Sequence, residues 1–148
     1  MADAPTSREA ITRLRIQAIA NDVAGLDAER IALGLVDLAD EEGFFRDLGT
    51  AKPYLVIHPA EQTSFSAGSR LSSFDVECLL YFGFPADQDF DFTSIEDIVF
   101  ALRDALADDA NWTDAPYPTG GIKIGKPELA RLKPVVGLYR ITLSFLGD

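Results

Sequence analysis

The chain has 148 residues, 47% of them apolar and 25% charged, enough for one domain with a hydrophobic core and too little for two. Its 24 acidic and 13 basic residues give a formal charge of -11, which disfavours a broad surface for nucleic acid or anionic lipid. The single cysteine, Cys78, excludes an internal disulfide and a multi-cysteine metal site, and no apolar run nears the roughly 20 residues that span a bilayer.

Residues 1–6 are small and polar and read as a flexible tail, without the pattern of a secretory signal, ahead of a single domain over 7–148. From Ser7, the three- and four-residue steps of Ile11, Leu14, Ala18, Ile19 and Val23 predict an amphipathic helix that Gly25 ends. Arg8, Arg13 and Arg15 fall off that stripe. In "ERIALGLVDL", Ile31, Leu33 and Leu35 alternate like a strand, although Ile31, Leu35 and Leu38 also fit a helix; the strand is preferred. "DEEGFFRDLG" reads as a loop or a single turn. "PYLVIHP" is apolar on both faces and bounded by Pro53 and Pro59, as a short buried strand should be.

"AEQTSFSAGSR" is polar and predicts a long hairpin tip. The strand after it, "SSFDVECLLYFGF", sets Phe74, Val76, Cys78, Leu80, Phe82 and Phe84 on one face, with Asp75 and Glu77 beginning the other. "PADQDFD" is an acidic loop. In "TSIEDIVFALRDALAD" Thr93 and Glu96 have the spacing of a capping box, and Ile95, Ile98, Val99, Leu102 and Leu106 form the buried stripe, with Phe100 off it. "NWTDAPYPTGG" is a turn-rich connection, "IKI" a short strand, and "KPELARLKP" a loop with room for one helical turn at Pro127. The closing strand, "GLYRITLSFLG", alternates Tyr139, Ile141, Leu143 and Phe145 with Arg140, Thr142 and Ser144. The fold class expected is α+β: a mainly antiparallel sheet of four to five strands, two amphipathic helices packed on one face, and a long hairpin arm.

Chemistry is thinly represented. "TGGIKIGKPEL" places Gly120, Gly125 and Lys126 at the spacing of a phosphate loop, but Pro127 stands where a Ser or Thr would hold magnesium and removes one N–H of the cradle. Gly121 and Gly125 are better read as brackets around the "IKI" strand. His58, the only histidine, sits in an apolar strand without a motif-linked nucleophile and reads as structural. Cys78 reads as a small core residue. Asp87, Asp89 and Asp91 resemble a calcium loop but lack its glycine and its closing glutamate. No catalytic residue, metal ligand or cofactor is assigned.

Apolar side chains in exposed settings carry more information. Phe65 lies in the polar hairpin tip, Phe100 on the wrong helix face, Leu79 and Tyr81 on the outer face of the long strand, and Trp112 and Tyr117 in a turn-rich loop. Together with Ser66 and Arg70 of the hairpin, these residues are the candidate interface for a protein partner.

The order of these segments resembles that of the tail-terminator (tail-completion) proteins of long-tailed bacteriophages and prophages. The likeness spans Ser7 to Gly147 and rests on the N-terminal helix, "KPYLVIHP", "SSFDVECLLYFGFP", "TSIEDIVFALRDAL" and "LYRITLSFLG". Neck and head–tail joining proteins share much of that outline. The resemblance implies a non-enzymatic virion protein of the tail or neck, assembled in the host cytoplasm as a ring, usually a hexamer. Such a ring caps the tail tube, stops its polymerisation and meets the head–tail connector or head completion protein. Genomic DNA would pass through without specific binding, acidic residues such as those of "PADQDFD" repelling phosphate, and no membrane is involved. A small acidic protein-binding adaptor domain unrelated to virions is the alternative.

Overall fold

The structure, a computed structural model, describes residues 5–34, 53–83, 93–132 and 135–147. In chain order these form helix α1 (Arg8–Asn21), strands β1 (Ile31–Leu33), β2 (Tyr54–Ile57), β3 (Glu61–Ser66) and β4 (Leu71–Gly83), helix α2 (Thr93–Ala107), and strands β5 (Gly121–Ile124), β6 (Glu128–Leu132) and β7 (Val135–Phe145). Short 3-10 turns at Ala28–Arg30 and Asp109–Trp112 precede β1 and follow α2. The fold is α+β as expected, with seven strands in one sheet rather than four to five. Leu35, the "DEEGFFRDLG" segment, Phe84, "PADQDFD" and residues 1–4 of the N-terminal tail lie outside the described residues.

Two long strands, β4 and β7, pair antiparallel from Phe74–Phe145 to Gly83–Val136 and form the axis of the sheet. Each is flanked by an interrupted strand. β2 and β3 occupy successive stretches of β4's free side, β6 and β5 successive stretches of β7's. Pro59 lies in one gap and Pro127 in the other. A proline has no N–H to give a ladder, so each flanking strand stops there and restarts beyond it. The bonding runs up to the gaps: the His58 N–H donates to Glu77 O at 2.9 Å, and the Gly125 N–H to Arg140 O at 3.0 Å. β1 adds to β2 in parallel; the other pairs are antiparallel.

Two segments correct the expectation. "KPELARLKP" holds strand β6, not a helical turn, because Pro127 precedes a run that pairs with β7 and so begins a strand as readily as a helix. "AEQTSFSAGSR" is mostly strand β3, leaving residues 67–70 as the turn.

The helices cover one face of the sheet. Leu55 and Ile57, Phe74 through Phe82 at alternate positions, and Tyr139 through Phe145 at alternate positions meet Ile16, Ile19 and Ala20 of α1 and Ile95, Val99, Leu102 and Leu106 of α2. Phe74 and Phe145, cross-strand partners, stack with centroids 5.0 Å apart. Each such buried side chain contributes about 1.5–3 kcal/mol of hydrophobic stabilisation. Ser7 caps α1, its hydroxyl accepting from the Ala10 N–H at 3.1 Å. The helix is turned relative to the expected stripe: Thr12, Ile16, Ile19 and Ala20 are buried, Ile11 is half-buried, and Leu14 is 41% exposed. Thr12 tolerates burial because its hydroxyl donates to Arg8 O at 2.7 Å. Arg13 sets the rotation, its guanidinium donating to His58 O at 2.9 Å and Ile57 O at 3.0 Å at the end of β2.

Gly25 follows α1 at a φ of +93°, and a Cβ there would lie 2.8 Å from Cγ1 of Ile98 on α2. The bare backbone lets the two helical segments touch. Gly137 makes similar room for the Phe82 ring lying against it.

Candidate functional site

The outer face of the sheet is divided across its middle. On one side Val56, Leu79, Tyr81, Val136 and Leu138, with Tyr54 against them, form a second buried cluster. On the other, Asp75 and Glu77 of β4 and Thr142 and Ser144 of β7 alternate with core residues. The dividing line is polar and runs from the β2–β3 gap across three strands: His58 Nδ1 stands 4.0 Å from Glu77 Oε1, Arg140 Nη1 donates to Glu77 Oε1 at 2.9 Å, and Arg140 Nε to Glu128 Oε2 at 2.6 Å. The hydrogen bond that Arg140 donates to Glu128 and the charges of Glu128 and Glu77 raise the Arg140 pKa above its ordinary value, although partial burial opposes them. Burial raises the pKa of the Tyr81 hydroxyl on the apolar side, with the Arg140 charge opposing and Glu77 adding to it.

Beyond the line, His58, Pro59, Glu61, Asp75, Glu77 and Thr142 surround a hollow of about 220 Å³. Glu61 and Asp75 are directly opposed across β3 and β4, an arrangement that is destabilising without a cation. Among the described residues no group of three or more His, Cys, Asp or Glu is placed to hold a metal ion. A second hollow, about 360 Å³, lies between α1 and the end of α2 and is bordered by Arg15, Asp22 and Asn111. There the Asn111 amide already donates to Ala105 O, and Arg15 to Thr113 O.

The β3–β4 arm is the most exposed element: every residue of β3 is open to solvent, and Phe65 is 55% exposed. Its turn ends on Arg70 in the left-handed region, φ +59°, with the Arg70 N–H donating to Ser66 O. The arm is fastened to the body near its turn, not at its root. Ser72, paired with Phe65, donates its hydroxyl to Glu9 Oε1 at 2.6 Å, while Arg8 donates to Ser72 O and Leu146 O and lies 5.3 Å over the Phe74 ring. The hairpin is thus held against the body almost to its turn, with β3 left as an exposed edge.

The expected interface residues therefore separate into two groups. Phe65, Ser66 and Arg70 lie together on the β3–β4 hairpin. Leu79 and Tyr81 are 5% and 9% exposed and pack in the outer-face cluster, correcting their reading as surface residues. Phe100 packs partly against the core, its ring 4.9 Å under the Arg103 guanidinium. Trp112 is buried, and with Tyr117 it has a different task. α2 ends without a basic residue in its last turn, and the carbonyls of Ala105, Leu106 and Ala107 are capped in succession by the Asn111 amide, the Trp112 indole N–H (2.8 Å) and the Tyr117 hydroxyl. "NWTDAPY" is thus a helix clamp.

Glu61, Glu77, Glu128 and Arg140 were not singled out in the sequence as site residues. Alternation put Asp75 and Glu77 on the outer face, but only the register between β4 and β7 brings Arg140 to Glu77.

The described geometry defines an α+β domain with an exposed edge hairpin and a divided outer face. The sequence matches no protein-family model and no curated protein.

Proposed function

We propose that the chain is a structural ring subunit of the tail-terminator kind, built to meet copies of itself and other virion parts without making or breaking bonds. The observation that carries this reading is the arm: six successive exposed residues that include Phe65, held near its turn by Arg8 and Glu9. An edge strand of that length invites pairing with another chain unless something covers it. The ring would cap the tail tube, stop its growth and face the head–tail connector, as the resemblance of element order implies. A heterologous ring needs two different patches per subunit, and the arm supplies one of them.

The second reading, a small acidic adaptor domain, is favoured by the carboxylates around the His58 hollow, which suit a basic partner. Light scattering on the full chain, alone and mixed with purified tail tubes, separates the two. The ring reading expects a six-fold mass in solution or on tube ends; a monomer that ignores tube ends contradicts it.

A further inference from the structure

We infer that copies of this chain join edge to edge, β3 of one pairing antiparallel with β5 of the next, with Glu61 facing Lys123 across the junction. This rests on the ring reading and names the contact that would build it.

Three observations converge. First, β3 and β5 lie at opposite edges of the sheet: β3 pairs only with β4, and β5 only with β7, among the described residues. β1 extends the sheet beside β2 and leaves β3 uncovered. Secondly, the chain directions fit. β3 is antiparallel to β4, β4 to β7, and β7 to β5, so β3 and β5 run in opposite senses. A neighbour placed in the same orientation at the sheet's edge therefore presents β5 antiparallel to β3, the more stable ladder.

Thirdly, the charges match on the correct face. Glu61, Asp75, Ser144 and Gly121 form one row across the sheet, and Glu77, Thr142 and Lys123 the next row on the same side. Glu61 and Lys123 are both exposed, and both point to the outer face. A slide of two residues, about 7 Å, brings Lys123 of one copy opposite Glu61 of the other without exchanging faces. A stagger of that kind is also what allows a sheet to close on itself. Within one copy, Glu61 opposes Asp75, and no ion pair engages either carboxylate or Lys123 among the described residues. Across the junction, the ammonium would relieve two carboxylates at once. A lone lysine on an edge strand guards it against indiscriminate pairing. Opposite Glu61 the same lysine selects the partner.

The test is sedimentation velocity of the full chain over a range of concentrations, with Glu61→Lys and Lys123→Glu separately and as an equimolar mixture. Both side chains are exposed, and circular dichroism checks that each variant folds. Each variant alone sets like charges at every junction and should associate at least about tenfold more weakly than the original chain. The mixture restores an opposite pair at every junction of an alternating ring and should regain the original mass. Variants that assemble like the original chain, or a mixture that does not recover, overturn the β3–β5 contact while leaving a ring built elsewhere intact. An original chain that stays monomeric both in solution and with purified tail tubes also overturns it, and the length of tails made without the chain then judges the ring reading separately.

Discussion

Arg140 on β7 reaches diagonally to Glu77 on β4, Nη1 to Oε1 at 2.9 Å, at the level where both flanking strands are interrupted by proline. Its Nε holds Glu128 on the far side, so one guanidinium ties the two central strands to the restart of the edge. The pair marks the border between the sheet's buried and open outer halves.

Because Arg140 and both acids are close to half exposed, that tie is a modest one. Arg140→Ala should lower unfolding stability by about 0.5–1 kcal/mol, with the loss shrinking in high salt. Arg140→Lys keeps the charge but not the two-armed geometry and should fall between. Urea denaturation at low and high salt measures this; a loss unchanged by salt would point to packing instead.

Trp112 is the only tryptophan, and its indole N–H satisfies a helix-end carbonyl in the interior. Trp112→Phe keeps much of the ring packing but orphans Leu106 O, and should cost about 1–3 kcal/mol. Trp112→Ala adds a cavity and should cost about 3–5 kcal/mol. Thermal unfolding followed by circular dichroism gives both numbers, and a Trp112→Phe variant as stable as the original would show that the hydrogen bond is immaterial.

Gly25→Ala combines a left-handed backbone with a Cβ 2.8 Å from Ile98. The expected loss is about 1–3 kcal/mol. Trimming the neighbour in Gly25→Ala/Ile98→Ala removes the clash but not the backbone strain. A double-mutant cycle should therefore show coupling between the two sites; strict additivity would contradict the contact.

Cys78 is fully buried, and burial, with a smaller contribution from Glu77, pushes its thiol up to about 12 from the model-compound value of 9.0. A raised folded pKa favours the neutral folded form. Its contribution is fully present below pH 9.0 and is lost as pH rises toward about 12, amounting to about 4 kcal/mol over the whole interval. Tyr81 and Tyr139, both also raised by burial, act in the same direction at the alkaline end. Native protein should react with a thiol reagent only as fast as it opens, and Cys78→Ala should flatten the alkaline fall in denaturation midpoint. Rapid labelling under native conditions would refute the burial.

Much of the architecture was legible in the pattern of side chains. Alternation placed Phe74 through Phe82 and Tyr139 through Phe145 on one core face, and the three- and four-residue spacing of α2 matched its buried side. Where the reading slipped, tertiary contacts outweighed local pattern. α1 turned because Arg8 and Arg13 found backbone carbonyls at the sheet, and Thr12 could bond within its own helix. Leu79 and Tyr81 belong to a strand buried on both faces at one end and on one face at the other, which alternation alone does not reveal. Trp112 resembled a loop aromatic because its partner, the end of α2, is set by the return of the chain. The arm was visible as a polar hairpin carrying Phe65. Its charges found meaning only when the register aligned Glu61 with Asp75 and set Lys123 one row beyond.

Tail length is the most direct measure of the central claim, that this chain is a ring subunit that stops tube growth. Electron microscopy of the particles made by the genome that carries the gene, with and without that gene, measures it. The account predicts tubes of abnormal, unregulated length that fail to join heads when the chain is missing, and normal tails when it is restored. Tails of normal length joined to heads in its absence would contradict the account.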